Sequence, residues 1–128
     1  MRWNQLANEP DRAMALADIL CAAALADETF DASERVVVGA MLMKVLGVSE
    51  LPREVEHHLD TLDLAGLDLE AALARLELAS ARDQRKLLEV VADIVKADQV
   101  IDAHERAFAL RLGKALGVSE ADVEAMLA

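Results

Sequence analysis

Apolar positions recur along this chain with helical spacing, in about seven runs separated by short polar or glycine-containing breaks. The first run predicts a helix from Asp11 to about Asp27. Met14, Leu16, Ile19, Leu20, Cys21, Ala23 and Leu25 cover almost its whole circumference, and a helix apolar on every side belongs in the middle of a fold. A second helix is expected from about Ala32 to Leu46, stopping at Gly47. A third covers roughly Leu51 to Leu62, with Pro52 in its first turn, where a missing N–H does no harm. Beyond the break at Gly66, a fourth runs from about Leu69 to Ala79. The fifth, about Arg82 to Ala97, carries Leu87, Leu88, Val90, Val91, Ile94 and Val95. The sixth spans about Ala103 to Leu116 and ends at Gly117, and the last about Glu120 to Leu127. In front of it, Ser119-Glu120-Ala121-Asp122 has capping-box spacing, with Asp in place of Glu.

The pattern repeats. Ala26-Asp27-Glu28-Thr29-Phe30-Asp31-Ala32-Ser33-Glu34-Arg35 matches Ala97-Asp98-Gln99-Val100-Ile101-Asp102-Ala103-His104-Glu105-Arg106 at six of ten positions. Leu46-Gly47-Val48-Ser49-Glu50 recurs unchanged as Leu116-Gly117-Val118-Ser119-Glu120. The stretch from about Leu51 to Ser80 has no counterpart of this quality and reads as a connector. Two copies are too few for a solenoid. The expected fold class is therefore all-α: about seven helices in one compact bundle over residues 1–128, with pseudo-twofold duplication of a helix–acidic loop–helix unit.

Composition agrees. The chain of 128 residues is the size of one domain, and 55% of it is apolar. Leu, Ala and Val dominate, Tyr is absent, and Trp3, Phe30 and Phe108 are the aromatics; that is a helix-forming palette. The formal net charge of −11 repels nucleic acid and anionic lipid and attracts cations and basic protein surfaces. Cys21 is the single cysteine, so no internal disulfide can form. Met1 to Arg12 lacks the apolar core of a signal peptide, and no stretch is long enough for a transmembrane helix. A cytoplasmic protein is expected.

The candidate chemistry lies in the two acidic loops, each with two Asp and one Glu: Asp27, Asp31, Glu34 and Asp98, Asp102, Glu105. Asp31-x-x-Glu34 and Asp102-x-x-Glu105 have capping-box spacing, and Phe30 and Ile101 stand where a hydrophobic staple needs an apolar side chain. Capping leaves Asp27 and Asp98 unexplained. Each ends a helix, where a negative charge opposes the macrodipole. Two explanations stand side by side: an Asx-turn to the loop backbone, or a hard divalent cation such as calcium, magnesium or manganese held with the neighbouring carboxylates. The acids do not follow the EF-hand series.

The loop pattern Ala-Asp-x-x-apolar-x-x-x-Glu, read as Ala26-Asp27-Glu28-Thr29-Phe30-Asp31-Ala32-Ser33-Glu34 and Ala97-Asp98-Gln99-Val100-Ile101-Asp102-Ala103-His104-Glu105, resembles the signature of the TerB-like family. That family includes tellurite-resistance proteins and the N-terminal domain of the co-chaperone DjlA. The resemblance covers about Arg12 to Leu127. It implies an all-α fold of about seven helices and an acidic surface that binds divalent cations or partners, in some members in a metal-oxyanion stress response. The carried-over acids are Asp27, Glu34, Asp98 and Glu105. The family often has Gly directly after the Asp, and this chain has Glu28 and Gln99 there.

Other signals carry little. Glu54-Val55-Glu56-His57 has the Glu-x-x-His spacing of di-iron bundles, which need two such pairs, and this chain has one. His57 and His58, about 100° apart on a helix, are expected to be partly exposed, and His104 to be solvated. Cys21 reads as a small core residue. With no phosphate loop, zinc spacing or nucleophile–base arrangement, the chain is expected not to be an enzyme. Two roles from different classes stay open: a divalent-cation-binding stress protein, or a metal-free protein-interaction module. The second helix bears on that choice. From Val36 to Met43 it has no charge, whereas its counterpart carries Arg111 and Lys114. Its apolar face is expected to be covered by the third and fourth helices or, as the alternative, by another subunit in a homo-oligomer.

Overall fold

The computed structural model describes residues 3–24, 32–62, 66–78, 80–96 and 103–128. Among these the protein is all-α, without a strand. A 3₁₀ helix, Trp3–Asn8, precedes α1 (Pro10–Ala24), α2 (Ala32–Leu46), α3 (Arg53–Asp60), α4 (Leu69–Leu76), α5 (Ala81–Lys96), α6 (Ala103–Ala115) and α7 (Glu120–Leu127). The chain divides into two compact units. The first holds the 3₁₀ helix, α1 up to Ala22, and α2 to α4; the second holds α5 to α7.

Local chemistry sets most boundaries. α1 begins at Pro10, one residue before the predicted start, because proline's fixed φ suits the first helical position. Pro52 lies outside α3 as its N-cap, at φ −54° and ψ 145°, so that helix is shorter than its apolar run predicts. It closes at Thr61, whose hydroxyl donates to the His57 carbonyl at 2.9 Å. α4 stops at Leu76 rather than Ala79 because Glu77 turns into the left-handed region at φ 56°. Asp68 and Ser119 cap α4 and α7, accepting from the backbone N–H groups of Ala71 (3.1 Å) and Asp122 (3.2 Å). Such a cap contributes on the order of 1 kcal/mol. The 3₁₀ helix follows no periodic signal; it packs against α2 and buries Leu6 completely.

The Leu-Gly-Val-Ser-Glu repeat is the same helix stop twice. Gly47 (φ 69°) and Gly117 (φ 75°) take the left-handed conformation that other residues resist. The next N–H folds back onto a helix carbonyl: Val48 to Met43 at 3.0 Å, and Val118 to Gly113 at 2.8 Å. This is the Schellman pattern. The copies then part, since Ser119 caps α7 at once while the first copy passes through Leu51 and Pro52.

The repeat also extends further than its obvious blocks. α3 contains Val55-Glu56-His57-His58-Leu59, and α7 contains Val123-Glu124-Ala125-Met126-Leu127. Val and Leu are buried in both. The segment after Leu51 is thus not wholly a connector; the part without a counterpart is α4 and its flanks. In the same register, Leu16 and Leu20 of α1 correspond to Leu87 and Val91 of α5, all buried. Each unit is therefore built on one copy of a three-helix pattern.

Candidate functional site

Of the six predicted acids, Asp27, Asp31, Asp98 and Asp102 lie outside the described residues, as do Phe30 and Ile101. Glu34 belongs to α2 by its backbone, and its side chain lies outside what the structure describes. Glu105 is placed in the first turn of α6 and is only 9% exposed. The expected caps at Asp31 and Asp102 and the expected cation loops therefore fall on undescribed segments. Among the described residues, no group of three or more His, Cys, Asp or Glu is gathered as a metal would need. His57 and His104 are exposed and His58 half-buried, as their positions in sequence predict.

The polar cluster that the structure does assemble lies in the first unit and was not legible as a cluster in the sequence. Asp18 projects from α1, in a stretch where every residue from Ala15 to Cys21 is buried, and is itself 7% exposed. A buried carboxylate needs compensation, and two residues distant in sequence supply it. His58 of α3 places Nε2 2.5 Å from Asp18 Oδ1. Arg75 of α4 donates from Nη2 to Oδ2 at 3.0 Å. Six residues earlier on α1, Arg12 donates from Nε to the Leu76 carbonyl at 2.9 Å, at the C-terminal end of α4, where a cation is favourable. The carboxylate thus ties α1 to α3 and α4.

His58, Arg75 and Arg12 also line a cleft of about 530 Å³, together with Glu9, Asp11, Met14 and Glu77. Glu9, Asp11 and Glu77 face Arg12, His58 and Arg75 across this lining, and Arg12 is paired with Glu9 at 3.1 Å. His58 and Arg75 of this lining are engaged by Asp18 and Arg12 by Glu9. Its chemistry is that of a structural ion-pair network.

Cys21, one turn beyond Asp18, is fully buried. Burial, reinforced by the Asp18 charge and opposed by Arg35, pushes its thiol up to about 12. The thiolate is the nucleophile, so Cys21 is inert in the native state. A thiol-reactive chromogenic disulfide is expected to leave the native protein unmodified at pH 8 and to label one thiol per chain in denaturant. Fast labelling of the native protein would contradict this. The raised value also carries a sign for stability. An unfolded chain loses the proton near the ordinary thiol value while the folded one keeps it, so Cys21 lowers stability as pH rises from about 9 toward 12.

α2 is only partly covered. Val38, Leu42 and Leu46 are buried, and Met41 and Met43 are intermediate. Val36 and Val37, however, are 69% and 47% exposed. The element that packs against this helix is the 3₁₀ helix, and the expected cover by α3 and α4 does not reach Val36 and Val37. Arg35 donates from Nε to Asp60 Oδ1 at 2.7 Å, offsetting an acid at the C-terminal end of α3. In the second unit, the equivalent Arg106 pairs with Glu124 of α7. In both copies, then, the arginine after the acidic loop reaches the helix that follows the glycine stop.

Among the described residues, no helix is long and apolar enough to cross a membrane. A family model described as tellurite resistance protein TerB matches residues 13–128. No curated protein and no solved structure matches the chain.

Proposed function

The chain belongs to the TerB family, and from that membership we propose that it is a non-enzymatic acidic binding domain that takes up a divalent cation through its two interhelical loops. The observation that carries this reading is the duplicated set of carboxylates, Asp27, Asp31 and Glu34 in one copy and Asp98, Asp102 and Glu105 in the other. Three carboxylates held within eight residues repel one another, and a hard ion such as calcium, magnesium or manganese relieves that repulsion. Glu105, in the first turn of α6, is 9% exposed. A role in a stress response to metal oxyanions follows from the family context.

The test is thermal melting with and without millimolar calcium or manganese. An ion that binds only the native state must raise stability, by about 2.7 kcal/mol at a hundred times its dissociation constant. The expected result is a rise of several degrees that is much reduced in Asp98→Asn. No rise at millimolar ion, or the same rise in the variant, removes the proposal.

A second reading, an interaction module that needs no metal, is favoured by one specific observation: the exposed valines of α2.

A further inference from the structure

We propose that the open face of α2, with the groove between it and the segment leading into α3, docks a basic amphipathic helix of another protein. The proposal rests on the interaction reading and is independent of cation binding. Val36 and Val37 are the large apolar side chains left exposed among the described residues. Val36, Ala40 and Met43 stand at i, i+4 and i+7, so they form one stripe along α2. That is the spacing with which helices read each other in grooves.

The stripe borders a groove of about 400 Å³. Gly39 lines it from a buried position. A Cβ there would stand 3.4 Å from Arg35 Nη1 and 3.8 Å from Leu51 Cδ1. The exposed Ala40 is small enough to let a second helix approach closely. The second unit does not repeat this surface: in the register that pairs Arg35 with Arg106, Val36 corresponds to Ala107 and Ala40 to the exposed Arg111.

Charge decides the occupant. Glu50 and Glu56 stand exposed on the rim of the groove. Its one basic residue, Arg35, is already engaged by Asp60. The chain as a whole carries −11. A second copy of this chain would bring the same acidic rim onto itself, and like charges across an interface oppose binding. A helix with leucines on one face and lysines or arginines along its edges meets both the apolar stripe and the glutamates.

The experiment uses the full chain in chelator, which separates it from any cation effect. A labelled synthetic helix of leucine and lysine is titrated by fluorescence anisotropy, beside the same helix with glutamate in place of lysine. The lysine helix is expected to bind, more weakly as salt rises, and the glutamate helix not to bind. Val36→Asp with Val37→Asp should weaken binding at least about tenfold, as should Glu50→Lys with Glu56→Lys. All four side chains are exposed, so melting should hardly change. Where the aspartates lower the melting temperature, Val36→Ser with Val37→Ser repeats the test. Amide shifts of the wild-type protein should concentrate on α2 and the segment into α3. Equal binding of the glutamate helix, no binding of the lysine helix, undiminished binding by the valine variants, or shifts concentrated elsewhere would overturn the proposal. So would sedimentation showing a dimer that the valine substitutions dissolve, since the occupant is then a second copy.

Discussion

Replacing His58 by Leu and Arg75 by Met together is expected to lower the unfolding free energy by about 3–5 kcal/mol, the usual result of leaving a buried charge without partners. Asp18 is 7% exposed, and its two oxygens are held separately, Oδ1 by His58 at 2.5 Å and Oδ2 by Arg75 at 3.0 Å. Each single variant should lose less, because the other partner still compensates the carboxylate. Arg75 alone should be the milder of the two: its side chain is 50% exposed, against 26% for His58, and exposed ion pairs contribute little. A small domain is stable by only about 5–15 kcal/mol, so the double variant should unfold at far lower urea. The discriminating measurement is the triple variant that adds Asp18→Leu. With the charge gone, the cluster becomes apolar and most of the lost stability should return. A triple variant no more stable than the double would show that the loss comes from misfitting side chains and not from the stranded carboxylate.

The helices were legible because their signals are local. The glycine stops at Gly47 and Gly117 and the Ser119 cap are each set by neighbours a few residues away, and α2 and α7 have the predicted ends. Asp18 shows the limit. A lone acid inside a helix buried on all sides announces that it must be paired, but its partners lie 40 and 57 residues away and follow from packing alone. The kinship of α3 with α7 was hidden because two residues intervene between the shared Glu and the shared Val in one copy that are missing from the other, and His57 and His58 stand where the second copy has Ala125 and Met126. What survives in both is the buried Val and Leu, the pair that packing needs. The acidic loops, the strongest chemical signal in the sequence, fall largely on segments outside the described residues. The exposed face of α2 was legible as an excess of apolar residues, but which of them remain in water depended on where α3 and the 3₁₀ helix lie.

Gly113 of α6 gives the second large effect, with a sign opposite to the usual rule. Glycine inside a helix is ordinarily worse than alanine by about 0.5–1 kcal/mol, so Gly→Ala tends to stabilise. At Gly113 a Cβ would stand 2.4 Å from Val123 Cγ2, a separation that real contacts do not reach. Val123 cannot step aside easily. It is 1% exposed on α7, and its branched side chain has one strongly preferred rotamer in a helix. The surroundings close the other exits, with the Val118 carbonyl 3.7 Å and Leu88 Cδ2 of α5 3.8 Å from the same point. The Gly113 carbonyl is itself held by the Val118 N–H at 2.8 Å, so the end of α6 is pinned to the turn leading into α7. Overpacking of this kind costs about 1–3 kcal/mol. Gly113→Ala should therefore destabilise by about 1–2 kcal/mol after the helix gain is set against the clash, and Gly113→Val, with two more carbons and a lower helix propensity, by more. Val123→Ala alone leaves a cavity and also destabilises. Combined with Gly113→Ala it should do less harm than the two separate losses predict, with a coupling of about 1 kcal/mol or more in urea unfolding. Additive losses, or a Gly113→Ala protein as stable as the wild type, would show that α7 can move outward to accept the methyl group, and that the contact between α6 and α7 is looser than this geometry requires.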